Sequence, residues 1–228
     1  MKPVLRRRPV VSWALYDWAN SAFATTVMAG FFPVFFKEYW NAGIAATEST
    51  FRLGLTYGLA SLIIAVLAPV LGAIADRSGA RVRMLMAFTL LGSSATAGLA
   101  LVGQGQWMMA VVLYLAASLG FWGGIVFNDS LLLFVAEPDE FDLVSGYGYS
   151  LGYLGGGLLF AVNVAMTRWP ETFGLSDAGQ AVRVSFLMVG VWWLVFTVPL
   201  LLFVKDRKAS QQVGPMQAVR QGFSELSG

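Results

Sequence analysis

Cysteine and histidine are both absent from the 228 residues. No disulfide can form, and no thiolate is available as nucleophile or metal ligand. The missing imidazole removes a common metal ligand and the usual proton shuttle near neutral pH. Charge is scarce: 12% of residues are Asp, Glu, Lys or Arg, where a soluble domain carries about 25%. The net charge of +2 offers no footprint for nucleic acid. No phosphate-cradling loop is present, so ATP-driven chemistry has no support. The chain does not read as an enzyme, and no cofactor or metal is expected.

The charges that remain sit in short clusters. Between them, residues 18–36, 53–75, 84–128, 143–167 and 184–204 contain none. A spanning helix needs roughly 20 mostly apolar residues. Each run meets that length, and 84–128 holds two helices separated by Gly103-Gln104-Gly105-Gln106. Backbone groups in lipid must bond internally, which makes these runs helices. They are placed at 11–36, 52–75, 84–103, 107–136, 145–167 and 184–204. Six apolar helices in a soluble chain of this length would have nothing to cover them. The expected fold is therefore an all-α membrane protein with six transmembrane helices.

The N-terminus looks at first like a signal peptide. Asp17 and Asn20 interrupt its apolar part, and no good small-residue cleavage site follows, so it reads as an uncleaved first helix. Residues 1–10 form a cytoplasmic N-terminus, 11–204 the membrane domain, and 205–228 the start of a cytoplasmic linker. In that linker Met216, Val219, Phe223 and Leu226 recur at helical spacing. One side of the membrane receives Lys2, Arg6, Arg7, Arg8, Arg77, Arg81, Arg83, Lys205, Arg207, Lys208 and Arg220, and the other Lys37, Arg52, Arg168 and Arg183. This asymmetry places both termini in the cytoplasm. Tyr39, Trp40, Trp107 and Trp169 fall near the outer ends, where amphipathic rings sit at headgroup level. Trp192 and Trp193 lie inside a helix and read as packing or lipid-facing residues.

The polar residues inside the spans are the candidates for function. Asp17, Asn20 and Ser21 are spaced i, i+3, i+4 and share one helix face. Asn128 and Asp129 lie late in the fourth helix. A charge at the bilayer centre costs at least ~2.5 kcal/mol, and no span offers a Lys or Arg at that depth. The two acids face water, bind a cation, carry a proton, or pair outside this chain; the bland alternative is that they reach the headgroups or cap a neighbouring helix. In the fifth helix Gly148, Gly152 and Gly156 recur every four residues, a seam for close packing. Asn163 falls on the same face, and Tyr149 and Tyr153 form another i, i+4 pair; Asn163 and Tyr153 are candidate pathway residues.

Between the second and third helices stands Gly72-Ala73-Ile74-Ala75-Asp76-Arg77-Ser78-Gly79-Ala80-Arg81-Val82-Arg83. Gly72 permits close helix approach, Gly79 a tight turn, and Asp76 can accept hydrogen bonds from a helix N-terminus or a nearby Arg. The segment resembles the loop signature of the major facilitator superfamily, with Ala80 where a first basic residue is usual. Ser12–Phe23, Phe127–Leu132 and Val144–Gly157 together look like the vacuole-effluxer branch of that superfamily, permeases similar to the autophagy-related vacuolar amino-acid exporter.

The resemblance covers the first six of that family's twelve helices. It implies an N-terminal half of a major facilitator fold, two three-helix units of inverted topology. It further implies secondary-active efflux of a small polar solute, with amino acids the substrate of the fungal member, coupled to a proton or other ion. The expected partners are the lipid bilayer, the solute, and a second six-helix half or a second copy. The expected location is a bacterial inner membrane. An inactive fragment, a homodimerising half-transporter and a non-transporting scaffold stay open as alternatives.

Overall fold

The computed structural model describes residues 3–77 and 79–205; the side chains of Asp76 and Arg77, and the linker positions Met216, Val219, Phe223 and Leu226, lie outside what it describes. The described chain is helical, with no strand among its elements. Six helices are long and apolar enough to cross a membrane. They are α1 (Arg8–Trp40), α2 (Ala46–Arg77), α3 (Arg81–Leu101), α4 (Trp107–Val135), α5 (Phe141–Arg168) and α6 (Ala178–Phe203).

Several helices run past the charge-free stretches. α2 starts at Ala46 rather than 52, α5 at Phe141 rather than 145, and α6 at Ala178 rather than 184. Loss of charge marks where hydrocarbon begins; helical hydrogen bonding continues through the headgroup zone. Arg52 shows how charge is accommodated there. It pairs with Glu48, donates to Asn41 Oδ1 at 2.9 Å, and lies 4.3 Å over the Trp107 ring. At the start of α6, Asp177 Oδ1 accepts the Gln180 N–H at 2.8 Å, an N-cap that satisfies an orphan donor. That bond, with one from the Ser176 hydroxyl, holds the Asp177 carboxyl below the usual range.

α1 is not a uniform α-helix. Phe23–Phe31 and Phe36–Trp40 are π-helical. The Phe32 N–H reaches back five residues to the Val27 carbonyl, and Asn41 N–H does the same to Phe36 at 3.0 Å. Pro33 between them has no N–H, so a regular ladder cannot pass. Thr25 adds to the loosening, its hydroxyl donating to the carbonyls of Ser21 and Gly156, each at 3.1 Å.

α1 packs against α5 and α6, α3 against α4 and α6, and α2 mainly against α4. Gly92 and Gly120 form the α3–α4 crossing: a Cβ on Gly92 would lie 3.2 Å from Gly120 Cα. No hydrophobic force drives apolar helices together in lipid, so such small-residue contacts carry the association. One core, towards the end bearing Trp40, is aromatic: Phe23, Phe32, Phe36, Trp40, Tyr114, Phe186 and Trp193 are all buried. The other gathers Val10, Trp13, Tyr16, Leu85, Phe127, Leu131 and Leu200.

Trp40, the last residue of α1, is 0% exposed, stacked on Phe186 with its indole N–H donating to the Val102 carbonyl. Trp169, 61% exposed, does present its ring at a helix end. Gly72 corrects an expectation: a Cβ there meets no described atom within 4 Å, so among the described residues it makes no close helix contact. Gly79, at φ +55°, does make the turn into α3. The basic end is tied together by the Arg7–Glu140 ion pair, Arg8 over Phe203 at 5.6 Å, and Arg81 over Phe134 at 4.7 Å.

Candidate solute site

The i, i+3, i+4 spacing of Asp17, Asn20 and Ser21 turns all three towards α4 and α5. There they line a cavity of about 620 Å³. α4 contributes Phe121, Trp122, Ile125 and Asp129, and α5 contributes Ser145, Tyr149, Gly152 and Tyr153. α1 adds Trp13, Ala24 and Thr25. Asp17, Asn20, Ser21, Asp129 and Tyr153 are thus brought together in one lining.

The glycine seam of α5 lets α1 approach this closely. A Cβ on Gly148 would stand 2.6 Å from Asp17 Oδ2 and 2.7 Å from the Trp13 ring. On Gly152 it would stand 2.7 Å from Ser21 Oγ, and on Gly156 2.9 Å from the Ser21 carbonyl. Gly155 belongs to the same contact, against Trp18. The seam therefore sets the distance between the α1 polar face and α5.

Asn128 stands behind the cavity. It is fully buried; its side-chain amide donates to Asp17 Oδ1 at 3.4 Å, and its backbone carbonyl accepts the Trp13 indole N–H at 2.7 Å. It braces Asp17 and Trp13 from α4. Asn20 is 2% exposed, and its Nδ2 lies near the Tyr16 hydroxyl without reaching hydrogen-bonding geometry to any described atom. Asn163 lies apart from the cavity. Thr26 donates to its Oδ1 at 3.5 Å, and its amide contacts the sulfurs of Met166 and Met188.

Tyr149 and Tyr153 are 68% and 71% exposed, with ring centroids 5.6 Å apart. They stand beside Asp17 and Asp129 at the open side of the cavity. Two phenols and two carboxylates on one face are a poor match for acyl chains. Among the described residues, no Lys or Arg lines the cavity. Sequence reasoning passed over Trp13, Phe121, Trp122 and Ser145 as site residues. An aromatic residue inside an apolar run gives no signal of which way it faces, and a lone Ser near a helix start gives little more. In the loop motif, Arg81 is buried over Phe134 and Arg83 is exposed.

Six helices long and apolar enough to cross a membrane, three of which line a polar cavity, define a multi-pass membrane protein. The chain belongs to the family described as vacuole effluxer Atg22 like, whose model matches residues 45–227. It is 36% identical over 199 residues to an uncharacterized MFS-type transporter YxiO of Bacillus subtilis, covering 86% of this chain and 46% of that one. It is 25% identical to an uncharacterized protein of Aquifex aeolicus, covering 89% and 47%. It is 23% identical to autophagy-related protein 22 of Eremothecium gossypii, covering 87% and 46%. The chain spans about half the length of these relatives. No solved structure matches it at a significant level. The architecture is that of one half of a major facilitator fold.

Proposed function

We propose that this chain forms one wall of the pathway of a secondary-active transporter that exports a small polar solute, coupled to a proton or another ion. The observation that carries the reading is the meeting of Asp17, Asn20 and Ser21 with Asp129 in one cavity whose open side bears Tyr149 and Tyr153. A face of this kind needs water, a solute or a second polar surface opposite it. A second six-helix body supplies that surface in this reading, in keeping with relatives twice as long. Asp17 and Asp129 are the coupling candidates, both termini face the cytoplasm, and the membrane is that of a bacterial cell. The fungal relatives are named for autophagy; an amino-acid substrate is the proposal that the family resemblance suggests.

A scaffold without transport is the competing reading, and solvent access separates the two. The chain has no Cys, so Ser21→Cys carries the only thiol. In membranes treated with a charged, impermeant thiol reagent from each side in turn, Ser21→Cys is expected to react. Val198→Cys, on the exposed apolar face of α6, is expected to stay unreactive. A Ser21→Cys thiol as inert as that of Val198→Cys would remove the pathway and leave the scaffold.

A further inference from the structure

Resting on the pathway reading of this cavity, we infer that Thr25 is a positioning residue of the pathway: a hydroxyl latch that sets how α1 lies on α5 beside the solute. Its hydroxyl carries one proton. Two carbonyls stand equally close to it, Ser21 on α1 and Gly156 on α5, each at 3.1 Å. Other hydroxyls in these helices behave differently. Thr56, Thr96, Ser185 and Thr197 each donate to the carbonyl four residues back, at 2.7 or 2.8 Å. Thr25 is looser on its own helix and reaches a neighbouring one as well. Hydroxyl donors usually lie about 2.5–3.0 Å from their acceptors, so neither carbonyl holds the proton firmly. Rotation about the Cβ–Oγ1 bond moves the hydrogen bond from one helix to the other.

The surroundings suit a contact that shifts. Thr25 lies in the π-helical stretch Phe23–Phe31, and such widened turns concentrate at functional sites. Further hydroxyls approach the same stretch at longer range: Tyr57 of α2 stands 3.5 Å from the Met28 carbonyl, and Thr26 stands 3.5 Å from Asn163 Oδ1 on α5. Gly156 offers its carbonyl at a point of close approach, where a Cβ would stand 3.0 Å from Thr25 Oγ1. Thr25 and Ser21 both line the solute cavity. Towards the Trp40 end, a second cavity of about 510 Å³ lies between α1, α5 and α6, bordered by Gly30, Phe31 and Phe160. The α1–α5 contact therefore has open space on both sides of its polar tie. Every group in the latch belongs to this chain, so the latch stands whatever surface faces the cavity.

Two substitutions separate the hydroxyl from the bulk of the side chain. Thr25→Val removes the hydroxyl at nearly the same shape, and Thr25→Ser keeps it. Each is combined with Ser21→Cys in the full chain, in lipid nanodiscs that leave both membrane faces open to a charged thiol reagent. Thr25→Val is expected to label about fivefold faster than the Ser21→Cys parent, the scale of one lost hydrogen bond. Thr25→Ser is expected to label at the parent's rate. Amide exchange over Phe23–Phe31 is expected to quicken in Thr25→Val and not in Thr25→Ser, while exchange at the Gly92–Gly120 crossing stays unchanged. Equal labelling in all three overturns the latch and leaves the aqueous pathway standing. Thr25→Ser labelling as fast as Thr25→Val also overturns it, because the methyl group would then hold the contact. Exchange quickened as much at Gly92 and Gly120 overturns it too, since Thr25 would then support the whole fold. An unreactive thiol in the Ser21→Cys parent removes the pathway and the inference together.

Discussion

Asp17 illustrates what a residue's neighbours in sequence can and cannot reveal. Its partnership with Asn20 and Ser21 was legible because i, i+3, i+4 spacing fixes a shared face whatever the tertiary fold. That Asp129 would line the same space was not legible, since no local rule says which helices adjoin. Asn163 shows the same limit from the other side. It does share a face with Gly156, yet that face leads to Thr26 and two methionine sulfurs rather than to the cavity. The glycines differ in the same way. A Cβ on Gly120 would collide with the backbone of Gly92 and lie 2.7 Å from the Phe88 carbonyl, whereas one on Gly72 meets no described atom. Backbone cannot move aside as a flexible side chain can, so Gly120→Ala is expected to destabilise by about 1–3 kcal/mol, the cost of overpacking. Gly72→Ala is expected to be neutral or to stabilise by about 0.5–1 kcal/mol through helix propensity. Thermal unfolding of the two variants in detergent, side by side with the parent, checks the contrast.

At the scale of elements, six helices were readable because lipid leaves so few choices for a charge-free run. Their ends were less readable, since caps and interfacial charges extend them. α6 is the clearest case: six residues precede the charge-free run, and the Asp177 cap starts them. That cap carries a pH dependence whose sign follows from its hydrogen bonds. The folded carboxyl is held below its usual range by the Gln180 N–H and the Ser176 hydroxyl. Its contribution is therefore present above the unfolded pKa and disappears as pH falls through the lower folded value. Exchange of the Gln180 amide is expected to speed up on acidification below about pH 4, the region of an ordinary Asp. Asp177→Asn keeps a capping side chain without a titrating group, so its exchange should lack that acid step once the intrinsic rate is divided out. The π-helical stretches of α1 escaped the sequence reading. Pro33 was visible, but hydrophobic pattern does not distinguish a widened ladder from a regular one.

For the molecule as a whole, the charge-free runs and the glycine seam of α5 point to one architecture, and the family match places the chain in the family described as vacuole effluxer Atg22 like. α2 is covered mainly by α4 and exposes Leu55, Leu59, Leu62 and Val66, while α5 exposes Tyr149 and Tyr153. The first set suits lipid or a protein surface; the second, beside two carboxylates, suits only a polar environment. The central claim is that this chain supplies one wall of a solute pathway and that a second, different six-helix body completes it. Two copies of the chain would place four acids around one space without adding a cation at their depth, and like charges brought together disfavour each other's ionised state. The most direct test is flux: the purified chain alone, reconstituted in liposomes, is given a solute gradient and a pH gradient, and uptake of labelled amines and amino acids is followed. The account predicts no saturable, gradient-driven uptake. Saturable uptake that follows the gradient and collapses when it is dissipated would contradict it, and would show that this chain, or a pair of its copies, is sufficient.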